Sequence, residues 1–134
     1  MRPDRLILSL VLLVAIASCS RPAGTTGTDR EAELLMRQLS SPRQPSAKAL
    51  ARAAVFKMRN DNGSAVLEAE QIPAKKIDDP LARLVFQFYD PGSRGGFSAH
   101  DPVTACYEAR FNYYGVMGSA HRVSCPKDAR PLNP

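Results

Sequence analysis

Cysteine and histidine carry the widest chemical reach among the side chains, and this chain of 134 residues has few of either: Cys19, Cys106 and Cys125, and His100 and His121. No HExxH, CxxC, GxSxG or Walker pattern occurs, so the common zinc, serine-hydrolase and nucleotide sites have no local signature and no cofactor or metal is expected. Cys106 and Cys125 stand close enough to be disulfide partners, and in an exported protein such a pair is structural far more often than redox-active. Cys19 is then the odd cysteine. Between the paired cysteines lie Glu108, Arg110 and His121, with Tyr113 and Tyr114, which together make a candidate interaction patch. Glu108 with His100 or His121 is the combination that could handle a proton. A solvated cross-strand charge set is the plainer account. The loop Gly92-Ser93-Arg94-Gly95-Gly96 could cradle a phosphate on its backbone amides, but no helix signal follows it.

The first nineteen residues say where such chemistry would operate. Arg2 and Arg5 precede an apolar run over residues 6–17, the charged start and short hydrophobic core of an export signal. A membrane-crossing helix needs about 20 apolar residues, and Ser18, Ser20, Arg21 and Pro22 close this run before that length. Two processing signals overlap at its end. Ala15-Ile16-Ala17 fits cleavage by an ordinary signal peptidase, which releases a soluble protein.

Ile16-Ala17-Ser18-Cys19 resembles the lipobox of bacterial lipoproteins: a branched apolar residue, two small residues and a cysteine. The resemblance implies that Cys19 is lipidated and becomes the first residue of the mature chain, held at the extracytoplasmic side of the cell membrane. It also accounts for the odd cysteine, because an acylated sulfur is no longer a free thiol. Two or more acyl chains make a stable attachment where one is marginal. The ending of the chain, a late strand carrying a cysteine, a turn and Val123-Ser124-Cys125-Pro126, loosely resembles small actinobacterial lipoproteins and implies no activity.

Removing Arg2, Arg5 and Asp4 with the leader lowers the formal net charge from +5 to +4. That mild excess reads as a solvated mixed-charge surface, and an exported protein meets little nucleic acid, so no nucleic-acid partner is expected. The organisation that follows is a signal peptide over 1–18, a lipidated anchor and tether over 19–27, and one small domain over 28–134, long enough for a single modest core.

Within the domain, Thr28 and Glu31 form a capping-box pattern, and Ala32, Leu35, Met36 and Leu39 recur on one helical face. Ser46 is the predicted N-cap of a second helix reaching about Arg59, with Leu50, Ala53, Ala54 and Phe56 or Met58 turned to a core. The Asn60-Asp61-Asn62-Gly63 turn that ends it could instead join two strands over 55–59 and 65–72. Residues 65–72 fit strand or helix equally well. Residues 81–89 are predicted as a strand for their Val, Phe and Tyr content, although Leu81, Leu84, Val85 and Phe88 would also share a helical face.

From Val103, the alternation of Ala105, Tyr107, Ala109, Phe111 and Tyr113 with polar residues predicts a half-buried strand. Gly115 and Val116 are the predicted point of reversal, with residues 119–125 returning so that Cys106 faces Cys125 and Arg110 faces His121. Cys106 then shares its face with Glu108 and Arg110, the more polar side. The fold class this describes is α+β: N-terminal helices packed on a small antiparallel sheet that ends in a disulfide-closed hairpin. The functional expectation is a non-enzymatic binding or accessory module on a lipid anchor, with an envelope protein as partner. A secreted inhibitor-like or small-ligand-binding domain is the alternative, and an enzyme acting on envelope polymers the third reading.

Overall fold

The structure, a computed structural model, describes residues 26–41, 43–58 and 63–134. The predicted leader, Cys19, the predicted tether up to residue 25, the predicted helix end at Arg59 and the Asn60-Asp61-Asn62 segment lie outside the described residues. The described residues form an α+β fold of two helices followed by a five-stranded antiparallel sheet.

Helix α1 (Thr26–Leu39) turns Ala32, Leu35, Met36 and Leu39 inward, the stripe that its i, i+3, i+4, i+7 spacing dictates. It starts earlier than its capping-box pattern suggests. Thr28 lies inside the helix with its side chain buried against Tyr107, so it is a packing residue rather than the N-cap. Helix α2 (Ala47–Lys57) begins where predicted, with Ser46 Oγ accepting the Ala49 amide at 3.2 Å. Gln71 Oε1 accepts the Ala47 amide at 2.8 Å, satisfying another unpaired donor of the first turn. Leu50, Ala54 and Met58 are buried, whereas Phe56 points outward.

Both ambiguous stretches are strands. Strand β1 (Ala65–Gln71) pairs with β2 (Ala82–Asp90), which in turn pairs with β3 (Val103–Asn112). Beyond β3 lie β4 (Gly115–Val116) and β5 (His121–Val123), both bonded to it. The main core holds Ala32, Leu35, Met36 and Leu39 of α1, Leu50, Ala51 and Ala54 of α2, and Leu84, Phe86, Phe88, Tyr107 and Phe111 of the sheet. Phe86 stacks on Tyr107 with centroids 5.9 Å apart, and Phe88 meets both rings edge-on, offset and edge geometries that the ring quadrupoles favour.

A second, smaller cluster forms on the opposite face from Leu67, Val85 and Cys106, with Val123 and Ala129 against it. Alternation after Val66 puts Leu67 on that face, and a β-bulge between Val66 and Glu68 resets the phase so that Glu68 follows it there. The Cys106–Cys125 disulfide is present, with Cα atoms 5.1 Å apart. Cys106 does fall on the face of Glu108, but Leu67 and Val85 give it an apolar setting there. The C-terminal tail covers part of the β1 edge, where the Leu132 amide donates to the Val66 carbonyl at 2.8 Å.

The return arm departs from the predicted register. The chain reverses at Tyr113 and Tyr114, before the glycine, because Asn112 Oδ1 accepts the Tyr114 amide at 2.9 Å and nucleates the turn, with Asn112 then paired to Gly115. Tyr113 is therefore an exposed turn residue and not the last inward position of β3. Residues 117–120 interrupt the arm, and β5 resumes with Cys106 facing Val123, Tyr107 facing Arg122 and Glu108 facing His121. Arg110 does not face His121; its carbonyl accepts the Met117 amide.

Candidate functional site

Three of the predicted patch residues, Glu108, Arg110 and His121, share the sheet face that carries the smaller cluster. The organising charge there is one that the sequence reading left out, Arg83 of β2. Its Nε donates to Glu108 Oε2 and its Nη1 to Glu68 Oε2, both at 2.9 Å, with Glu70 at 3.6 Å. Arg110 Nε adds a longer contact of 3.4 Å to Glu108 Oε1. The Arg83 hydrogen bond, aided by the charges of Arg83 and Arg110, holds the Glu108 carboxyl below the usual carboxylate range, and the Arg83 guanidinium is raised in turn, chiefly by Glu108. A carboxylate kept ionised between two guanidiniums is a poor proton donor, so this ladder ties β1, β2 and β3 together rather than moving protons. Arg83 was legible only from the β2–β3 register, which places it one step from Glu108 across the sheet.

Tyr113 and Tyr114 stand apart from the ladder at the β3–β4 turn. Their rings meet edge-on at 5.6 Å, and the Arg43 guanidinium lies 5.2 and 5.6 Å from the two centroids. This cation–π clasp joins the turn to the segment between the helices.

His100 belongs to a different group, at the foot of the loop between β2 and β3. Its Nε2 lies 3.0 Å from Asp90 Oδ2, its Nδ1 lies 3.1 Å from the Ser98 carbonyl, and Ser93 Oγ is 3.4 Å from Nδ1. Serine, histidine and aspartate are thus within reach of one another, yet the proton directions oppose nucleophilic catalysis. Ser93 gives its proton to the Ser98 carbonyl at 2.7 Å. That carbonyl can only accept, so Nδ1 donates to it and cannot take a proton from serine. The Ser98 carbonyl and then Asp90 raise the His100 pKa, which favours the imidazolium with both nitrogens donating.

A broad concavity lies between α1 and the return arm. A cleft of about 750 Å³ is lined by Asp29, Arg30, Glu33 and Arg37 of α1 and by Tyr107 and Arg122. It meets a smaller recess of about 390 Å³ that shares Glu33, Arg37, Ser119 and Ala120. The register of β5 creates this lining, because Arg122 pairs with Tyr107 on the helix side of the sheet. Tyr107 is 2 % exposed, its hydroxyl 2.9 Å from Thr28 Oγ1 and 2.7 Å from Asp29 Oδ1. With one proton to give, the phenol donates to the carboxylate. Burial, and then that bond, push its pKa up to about 12, so it remains a neutral donor. Asp29 is committed to Tyr107, which leaves three guanidiniums and Glu33 to meet a ligand.

Among the described residues, no group of His, Cys, Asp and Glu could hold a metal ion, and no helix is long and apolar enough to cross a membrane. Comparison with known protein families, curated proteins and solved structures gives no match.

Proposed function

We propose that the chain is a lipid-anchored envelope protein acting as a binding or accessory module at the outer face of the membrane, with the cleft between α1 and the return arm as its binding surface. The observation that carries the anchoring is the position of Cys19 at the end of an export signal in a chain whose other two cysteines bond to each other. Acylation gives that cysteine a use. The mature chain then leaves the membrane through a tether of a few residues and reaches α1 at Thr26.

A non-enzymatic role is supported by the two titratable clusters. Glu108 is held ionised by arginine, and His100 is oriented toward a carbonyl and a carboxylate, so neither offers a free base. The cleft offers mixed charge from Arg30, Glu33, Arg37 and Arg122, which suits recognition of a polar surface or ligand more than bond cleavage.

Intact-mass measurement and detergent partitioning of the wild-type chain and Cys19→Ala test the reading. Wild type is expected to carry acyl mass on Cys19 and to enter the detergent phase, while the variant enters the aqueous phase. Cleavage after Ala17 with an unmodified Cys19 would establish the soluble, secreted alternative instead.

A further inference from the structure

We propose that the β2–β3 loop, residues 91–102, is a second membrane contact, with Phe97 entering the lipid interface beside the anchor. The inference rests on the anchoring reading above and adds an orientation to it.

Phe97 is the most exposed of the large apolar side chains, at 114 % of its reference area. A single exposed aromatic is ordinary. Here, however, the loop presenting it is built. Ser93 and His100 form an antiparallel bridge with amide-to-carbonyl bonds of 3.0 and 3.1 Å, in both directions. Ser93 Oγ donates to the Ser98 carbonyl, Asp90 Oδ1 accepts the Gly92 amide at 2.8 Å, and His100 closes onto Asp90. The foot of the loop is thus ordered by five hydrogen bonds while its apolar tip packs on nothing.

Charge and position both fit a bilayer. Asp101 stands at the foot of the loop; between it and Asp90 there is no acidic residue, and Arg94 is the one cation there apart from His100. An aromatic with a neighbouring arginine matches the interface of an anionic leaflet, where amphipathic and aromatic side chains settle and Lys or Arg meets lipid phosphate. The loop also lies at the anchored end of the domain. The Asp90 carboxylate abuts the first turn of α1, where an ideal Cβ on Gly27 would lie 2.6 Å from its Oδ2. From Cys19 to Gly27 the chain can extend no more than about 28 Å. The β1–β2 loop, with exposed Ile77, is at the opposite end of the antiparallel sheet.

The chain contains no tryptophan, so Phe97→Trp and Ile77→Trp each give a single-tryptophan reporter. Both are prepared as lipidated protein in phosphatidylglycerol–phosphatidylcholine vesicles and read by emission wavelength and by quenching with brominated acyl chains. The expected result is a blue shift and quenching at position 97 and neither at position 77. If the protein carries acyl mass and sediments with vesicles while position 97 keeps a water-exposed emission, the anchor stands and this inference fails. A blue shift at position 97 without bromolipid quenching points to a protein partner and overturns it, as does equal quenching at both positions. Should Cys19 prove unmodified, the anchoring reading fails, and the same measurement on the unlipidated chain with the same vesicles decides this one: quenching at position 97 supports it and its absence overturns it.

Discussion

At the foot of the β2–β3 loop, His100 and Asp90 make a latch whose strength follows pH, and the sign is set by two opposite shifts. His100 is raised, first by the Ser98 carbonyl and then by Asp90. Its contribution is therefore complete below the ordinary histidine value of about 6.5 and is lost as pH rises through the raised one. Asp90 is lowered, first by the Gly92 amide and then by His100, so its contribution is present above the ordinary value of about 3.9 and is lost as pH falls through the lowered one. The latch is closed most firmly in the mildly acidic window between the two. Hydrogen exchange of the Ser93 and His100 amides, corrected for intrinsic rates, should show protection falling as His100 loses its proton, with no such step in His100→Ala. A protection profile that ignores the His100 titration seen by NMR would refute the latch.

At the scale of elements, α2 shows how much rests on a cap. Its alanine-rich sequence, AKALARAAVFK, has high helix propensity but little apolar bulk, so its start depends on Ser46 Oγ and Gln71 Oε1 for donors that no carbonyl reaches. Ser46→Ala should lower stability by about 1 kcal/mol in urea unfolding; no change in the midpoint would mean that the Gln71 contact suffices. The return arm teaches something different. A slip of two residues relative to the predicted pairing leaves every side chain on its predicted face, because the strand period is two. His121 thus shares a face with Glu108 as the alternation of β3 implies, but the residue opposite it changes from Arg110 to Glu108. Alternation within a strand is a local property of the sequence. Opposition across strands depends on where Asn112 turns the chain and on the interruption at residues 117–120, neither of which a period reveals.

Across the whole molecule, the disulfide supplements a modest core from the far side of the sheet. It spans a sequence separation of 19, and a bridge closing a loop of that size contributes roughly 3 kcal/mol by restricting the unfolded chain. Replacing both cysteines with serine should therefore remove about 3 kcal/mol from the unfolding free energy, while the helix signal in circular dichroism persists, since α1 and α2 share the other core with Leu84, Phe86 and Phe111. Loss of the helices together with the bridge would show that the two clusters fold as one cooperative unit.

The sequence by itself determined the α+β class, the inward stripe of α1, the cap at Ser46, the parity of β3 and the partnership of Cys106 with Cys125. Each of these follows from a short-range rule of period, cap or residue count. Only the tertiary structure decided that residues 65–71 are a strand, because a seven-residue stretch with weak alternation is stabilised by the ladder it joins and not by its own propensity. Tertiary structure also seated Arg83 between Glu68 and Glu108, brought His100 to Asp90, and opened the cleft over Tyr107. These groups come from segments far apart in the chain, and what joins them is strand register and helix placement, which exist only once the core has packed.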